Sequence, residues 1–262
     1  MTGAVEIGLT QLILATGFIV VAAGLSLALS LGYCRSLVIA TVRTYLQLWA
    51  LGFVLRWVFA IDSAWLVLAI LTVMLIMAVF TIQGRVTSRP RGIFPALFNA
   101  VFISGVTVTF AVTALIVKVE PWYAPRYVIP IGGMVIGNSM TGLALALERV
   151  FGDMAKRRNE INTLLSLGAT TFEAARPSIR TALRAGLIPT INSMSAVGIV
   201  FIPGMMTGQI LAGADPRTAA SYQIVVMLMI SAATTLGSVI AVLTSYGRAF
   251  DRQSRFTLDE RS

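Results

Sequence analysis

The stretch RVFGDMAKRRNEINTLLSLGATTFEAARPSIRTALR (residues 149–184) is polar and rich in arginine, although apolar stretches long enough to cross a bilayer lie on both sides of it. A channel does not need so long a polar connection between two spans. The stretch contains two short helical patterns with Gly168 between them. We therefore interpret it as a lever on which a soluble partner acts, within an all-helical integral membrane protein.

The composition supports a membrane class. The chain has 262 residues, of which 57% are hydrophobic and 12% are charged, whereas a soluble domain carries about 25% charged residues. We expect residues 1–262 to form one transmembrane domain, because the chain is too short for a large soluble domain beside its spans. The formal net charge of +9 could indicate nucleic acid, but the placement of the basic residues favours membrane topology instead.

Apolar runs of about 20 residues, the length that spans the hydrocarbon core, predict seven transmembrane helices. The second run is the weakest, because Arg43, Gln47 and Arg56 interrupt it. The predicted spans cover approximately residues 7–32, 37–61, 63–82, 93–117, 127–150, 187–213 and 219–246.

The distribution of basic residues predicts the orientation of these spans. With the N-terminus outside and the C-terminus in the cytosol, only Arg56, Lys118, Arg126 and Arg217 of the 20 basic residues lie outside. The other sixteen lie on the cytosolic side, as the positive-inside rule requires. In this topology the polar segment, about 151–184, is cytosolic, and the charged tail, about 248–262, is expected to be a solvated end.

Local signals inside the polar segment predict its structure. Glu160 opens a helical pattern, Gly168 fits the left-handed position after a helix, and Thr170 and Glu173 have the spacing of a capping box. Two helices should therefore meet at a sharp turn around Gly168. A short amphipathic helix at this face could insert into a groove on a partner, or it could lie on lipid headgroups with its arginines on the phosphates.

Two similar Pro-Gly-Met stretches, residues 129–138 and 202–209, place amides and methionines within the spans. Interrupted segments of this kind can mark a transport site or a gate, because a broken helix frees backbone groups to face a pathway. Their paired glycines could instead serve only close helix packing. The predicted pathway or gate residues are Met134, Asn138, Pro203, Gly204, Met205, Met206 and Gln209. We expect the methionines and amides of this set to line one cavity.

A further polar pair, Arg43 and Gln47, lies within the second predicted span. An intramembrane charge requires protein or water around it, and Glu148, at the inner end of the fifth span, could be the partner of Arg43. Alternatively, the Arg43 side chain could extend to the inner headgroups.

Several motifs are absent from the sequence. The chain has no histidine and one cysteine, Cys34, and it lacks the Gly-rich phosphate loop of nucleotide-binding subunits. Carboxylates and imidazoles are missing from the middle of the predicted spans, so the metal ligands, if a metal is bound, are unknown. Most of the eleven methionines are expected to pack in the core.

With these residues assembled, the chain resembles the iron-export ABC transporter permease family of the FetB/YbbM type, which has plant relatives linked to aluminium tolerance. The resemblance covers almost the whole length. It rests on Arg43-x-x-x-Gln47-Leu48, on Pro130-x-x-Gly133-Met134 with Gly137-Asn138, on Glu160 followed by Leu167-Gly168-Ala169-Thr170, and on Pro203 to Gln209.

The resemblance implies a homodimer of this chain in a bacterial cytoplasmic membrane, paired with two copies of a separate ATPase subunit that carries ATP and Mg²⁺. The chain itself would be a transport subunit rather than an enzyme, and no nucleic acid partner is implied. The implied cargo is a cytosolic solute for export, either iron or an iron complex, with a small polar metabolite as another candidate. The residues implied in ATPase coupling are Glu160, Leu164, Leu167, Gly168, Ala169 and Thr170.

Two other functional classes stay open from the residues alone. An ion-gradient-driven secondary carrier of a small polar or metal-chelate solute would need ionisable groups within the spans, for which Arg43 and Glu148 are the candidates. A membrane scaffold without transport would use Asn138 and Gln209 only for packing.

Overall fold

The computed structural model describes residues 8–61, 63–87, 90, 92–251, 253 and 255–258. Within that part of the chain the structure is all-helical, and no strand is formed. Packing divides the chain into two compact units, residues 8–61 with 211–213 and residues 63–210 with 214–258. The expectation of a single transmembrane domain stays a prediction.

Nine α-helices are present in the described residues. They are α1 Leu9–Ala28, α2 Cys34–Val58, α3 Ala64–Arg85, α4 Phe94–Phe110, α5 Pro125–Lys156, α6 Arg158–Ser166, α7 Thr171–Ala196, α8 Gly204–Leu211 and α9 Pro216–Ser245. A π-helical segment, Ala111–Ile116, continues α4, and a 3-10 turn, Tyr246–Ala249, continues α9.

Six helical segments of the described chain are long and apolar enough to cross a membrane, namely α1, α2, α3, Phe94–Ile116, α5 and Pro216–Ala249. The sixth predicted span, about 187–213, is not a continuous helix. It consists of the end of α7, an irregular segment at 197–203 and the short helix α8. Gly198, at φ +81°, and Pro203 cause the break, since one takes a left-handed backbone and the other cannot donate to a preceding turn.

Backbone groups within the break form hydrogen bonds with nearby residues of the same segment. The Gly198 N–H donates to the Phe201 carbonyl at 2.9 Å, and the Val200 N–H donates to the Ala196 carbonyl at 2.8 Å. Irregular backbone at membrane depth needs such partners, or water in a cavity, because lipid offers none. The first Pro-Gly-Met stretch behaves differently, since α5 runs through Pro130 without interruption.

The first unit is a helical hairpin of α1 and α2. The Tyr45 hydroxyl joins the two helices by donating to the Leu12 carbonyl at 2.9 Å and by pairing with the Thr16 hydroxyl at 2.8 Å. Most apolar side chains of both helices are exposed, as expected for surfaces that face lipid tails.

The second unit is built around α5, which packs against α3, α4, α7 and α9. At the crossing of α5 and α7 the two backbones touch through glycines. A Cβ atom added at Gly142 would lie 2.7 Å from the Gly186 carbonyl oxygen, and one added at Gly186 would lie 2.7 Å from the Gly142 carbonyl oxygen. This contact requires glycine on both helices.

The C-terminal tail is solvated only in part. Asp251, Gln253, Arg255 and Thr257 are exposed, as expected, whereas Ala249, Phe256 and Leu258 are buried in the main hydrophobic core. The Thr257 N–H donates to the Ala249 carbonyl at 2.8 Å and closes the turn. The apolar residues of this tail have enough area to pack despite the charges between them, and residues 259–262 lie outside the described chain.

We predict that Gly186→Ala destabilises the protein by about 1–3 kcal/mol, because the added methyl group overpacks a backbone contact. Gly152→Ala on α5 is the matched control, since a Cβ there meets nothing within 4 Å. The melting temperatures of the two purified variants and the wild type, measured in the same detergent, test this prediction. Equal melting temperatures for Gly186→Ala and the wild type would contradict the close contact.

Candidate functional site

The turn between α6 and α7 has the geometry that the sequence predicts. Gly168 adopts φ +90°. Its N–H donates to the Leu165 carbonyl at 3.0 Å, and the Ala169 N–H donates to the Leu164 carbonyl at 3.0 Å. These two bonds form the Schellman motif, which satisfies carbonyls at the end of a helix.

The capping box that begins α7 is confirmed. The Glu173 N–H donates to the Thr170 hydroxyl oxygen at 3.2 Å, and the Thr170 N–H donates to the Glu173 carboxylate at 2.8 Å. These bonds give partners to backbone N–H groups that have no partner within the helix at its N-terminus. The turn is therefore defined on both sides of Gly168, and we name residues 157–173 the coupling turn, after the role expected of it.

Arg157 ties three helices together at the base of the coupling turn. Its Nε donates to Glu160 Oε2 at 2.8 Å, and its Nη1 donates to the hydroxyl of Ser178 at 2.8 Å. Ser178 lies on α7 and is fully buried. A planar guanidinium suits this forked arrangement, since it presents several donors in fixed directions. Sequence reasoning counted Arg157 only as a topology-determining charge.

The predicted coupling residues divide into two groups. Ile161, beside them on α6, is fully buried, and Leu164 packs against the core, so these side chains hold α6 to the second unit. Leu167 is 79% exposed at the tip of the turn, and Gly168 and Thr170 are also exposed. The turn therefore combines a fixed base with an accessible apolar tip.

Hydrogen bonds and neighbouring charges at the coupling turn favour the ionised forms of Arg157, Glu160 and Glu173. The Arg157 guanidinium lowers the pKa of Glu160, and Glu160 in turn raises the pKa of Arg157. The backbone N–H and the hydroxyl of Thr170 lower the pKa of Glu173.

A cavity of about 400 Å³ lies within the second unit, at the end of α5 and α7 remote from the coupling turn. Five predicted pathway residues line it together, namely Met134, Asn138, Pro203, Gly204 and Met205. The two Pro-Gly-Met stretches thus face one space. Asn138 Nδ2 donates to the Met134 carbonyl at 2.8 Å, so the amide is held by its own helix.

The other two predicted pathway residues lie elsewhere. Met206 lines a neighbouring cavity of about 300 Å³ with Met194 and the break in the chain at 197–198. Gln209 lines neither cavity, and its Oε1 is buried without a hydrogen-bond partner.

Close packing does not explain most of the paired glycines in these stretches. A Cβ atom at Gly137, Gly204 or Gly208 would meet nothing within 4 Å, and only Gly133 is in a tight contact, with Met74. Tighter contacts occur at other glycines of the described chain, with backbone at Gly142 and Gly186 and with side chains at Gly132 and Gly237.

Sequence reasoning missed part of the cavity wall. The missed lining residues include Thr141 on α5, Pro189, Thr190 and Ser193 on α7, and Gln223 and Met227 on α9. Of these residues, Gln223 could have been singled out from the sequence, because it is an amide within an apolar span. The hydroxyl residues carried no signal, since serine and threonine can satisfy themselves on their own helix.

Arg43 and Gln47 lie on the exposed surface of α2, four residues apart. The Glu148 carboxylate accepts a hydrogen bond from the Thr87 N–H at 2.7 Å. The pairing of Arg43 with Glu148 stays a prediction. In the described residues, no group of three histidine, cysteine, aspartate or glutamate side chains is placed to hold a metal ion.

Comparison with known proteins identifies relatives along nearly the whole chain. The profile of the family described as "Uncharacterised protein family (UPF0014)" matches residues 9–250. The chain is 40% identical over 215 residues to the UPF0014 membrane protein slr1647 of Synechocystis, which covers 81% of this chain and 82% of the relative.

Two further relatives have more informative names. The Arabidopsis thaliana protein ALUMINUM SENSITIVE 3 is 34% identical over 86% of this chain and 84% of its own length. The probable iron export permease protein FetB of Escherichia coli is 33% identical over 95% of both chains. No solved structure matches the chain.

We predict that the Glu173 carboxylate stabilises the start of α7 only while it is ionised. Because its pKa is lowered on folding, this contribution is complete above the ordinary glutamate pKa and disappears as the pH falls through the lower folded value. Glu173→Gln should therefore melt below the wild type at neutral pH, with a difference that shrinks on acidification to about pH 3. A difference of constant size at every pH would contradict this assignment.

Proposed function

Since the chain belongs to the uncharacterised protein family UPF0014 and is similar to a probable iron export permease of Escherichia coli, we propose that it is the permease subunit of an ABC-type exporter. The chain would form a homodimer and pair with two copies of a separate ATPase that binds ATP and Mg²⁺. The N-terminus would lie outside a bacterial cytoplasmic membrane, and the coupling turn would lie in the cytosol.

The observation that carries this proposal is the coupling turn. Its apolar tip, Leu167, is 79% exposed, while Ile161 and Arg157 fix its base to the core and to α7. An exposed apolar tip on a rigid base suits insertion into a groove on a partner. A helix that only lay on lipid headgroups would not need a base fixed in this way.

Transport of a solute is supported by the connection between the turn and the cavity. Both α5 and α7 contact the coupling turn at one end and line the 400 Å³ cavity at the other. In this proposal ATP binding moves the turn, the two helices carry the motion, and the break at 197–203 allows access to the cavity to change. By likeness to FetB, the cargo is iron or an iron complex, exported from the cytosol.

A secondary carrier is less well supported. A carrier of this class couples its cargo to an ion gradient through ionisable groups within the membrane. The side chains that line the two cavities are thioethers, hydroxyls, amides and hydrocarbon groups, without an ionisable side chain.

We expect Leu167→Glu to weaken binding of the ATPase by about tenfold or more, because an apolar anchor at the centre of an interface contributes at least ~1.4 kcal/mol. Leu167→Met keeps the apolar surface and is the matched control. The measurement is copurification with the ATPase subunit, followed by ATP hydrolysis of the complex in liposomes. ATP-independent transport by the purified chain alone would contradict the proposed function.

A further inference from the structure

Two cavities of the second unit meet at the same side chains. The larger cavity, about 400 Å³, and the smaller one, about 300 Å³, share Gln223 and Met227 of α9. The break in the chain also forms part of both walls, with Phe201 and Pro203 in the larger cavity and Val197 and Gly198 in the smaller one. The two cavities therefore adjoin each other at Gln223 and Met227.

Gln223 has an unsatisfied amide at this position. Its side chain is 6% exposed, and its Oε1 is buried without a hydrogen-bond partner. A buried polar atom without a partner loses its hydration and gains nothing in return, so it destabilises the fold. Such a group in a native fold requires an explanation, and Gln223 differs from the other unpaired buried groups, such as Thr234, in lining both cavities.

The lining of both cavities is uncharged. In the larger cavity, hydroxyl and amide groups from Asn138, Thr141, Thr190, Ser193 and Gln223 stand among methionine and aliphatic side chains. No lysine or arginine is present in either lining to pair with an anion, and no carboxylate or imidazole is present to hold a bare divalent ion. A charge buried there would be unpaired.

The size of the larger cavity agrees with this chemistry. Cavities of about 300–1,000 Å³ hold small molecules, whereas a bare ion is held by ligands at about 2.0–2.6 Å in a far smaller cage. The cavity therefore suits a species that keeps its own outer shell of atoms.

We propose that Gln223 is the recognition residue of the pathway and that the pathway accepts a solute with an uncharged, hydrogen-bonding outer surface. This inference rests on the proposed transport function and specifies its cargo. Two sources share the required chemistry, a neutral metal complex that encloses its ion and an uncharged polyol-like metabolite. In both cases the Gln223 amide bonds to a polar group on the surface of the solute.

The test is equilibrium dialysis of the purified full-length chain in lipid nanodiscs against four labelled probes. Tris(maltolato)iron(III) represents a neutral iron complex, and myo-inositol represents an uncharged polyol. Ferrous sulfate under anaerobic conditions represents the bare ion with its water, and ferric citrate represents an anionic complex. We expect one of the two neutral probes to bind more tightly than both charged probes. The neutral probe that binds shows whether the solute is a metal complex or a polyol-like metabolite.

Gln223→Leu and Gln223→Met remove the amide and keep a side chain of comparable size, and each should weaken binding of that neutral probe by tenfold or more. Thr234→Val is the matched control on the same helix. Thr234 is fully buried, and its hydroxyl also lacks a partner, but it lines neither cavity, so its variant should bind like the wild type. Both Gln223 variants should melt at or above the wild-type temperature, since each removes an unpaired polar group.

Tighter binding of ferrous sulfate or ferric citrate, or no binding of either neutral probe, would overturn the inference. Unchanged binding by the Gln223 variants would also overturn it, as would a loss of binding accompanied by a lower melting temperature. A chain that fails these tests but still copurifies with its ATPase leaves the proposed function standing, so the two failures are distinguishable.

Discussion

The backbone contact between α5 and α7 at Gly142 and Gly186 is the constraint on which the rest of the second unit depends. Each glycine lies so close to the carbonyl oxygen of the other that no side chain fits between the helices. Helices that touch through their backbones cannot slide past one another easily, since interiors packed at this density transmit strain. The two helices can therefore move as one body.

This constraint links the coupling turn with the cavity. Pro189 at the cavity lies about 27 Å of helix from Thr171 at the coupling turn, at about 1.5 Å per residue, a distance comparable with the bilayer's hydrocarbon thickness of about 30 Å. The Schellman motif, the capping box and Arg157 fix the end of this body that carries the coupling turn. At the other end, the break at 197–203 provides a place where the chain can change conformation without disturbing α5.

Short-range features were predictable from the sequence. Gly168 and the Thr170–Glu173 capping box follow from residues that lie within four positions of each other, and the structure confirms both. The helical character of the apolar runs was predictable for the same reason. The interruption of the sixth run could not be read from its hydropathy, which is continuous, although its backbone is not helical between Ala196 and Gly204.

Long-range features were not predictable in the same way. The cavity depends on the packing of α5, α7 and α9, so the amide of Gln223 within an apolar span could be noticed, but its place in a cavity wall could not be predicted. The buried part of the tail had the same difficulty, because Phe256 and Leu258 are apolar residues in a charged segment whose contacts lie far away in sequence. The two glycines at the α5–α7 contact could not be distinguished from the paired glycines that meet open space.

Cysteine accessibility tests the central claim most directly. In a Cys34→Ser background, Leu167→Cys should react with a membrane-impermeant maleimide in inside-out vesicles and should not react in intact cells. The ATPase subunit, when present, should protect the same position from labelling. Labelling from the outer side of the membrane, or equal labelling with and without the ATPase, would contradict the account of Leu167 as the cytosolic point of contact.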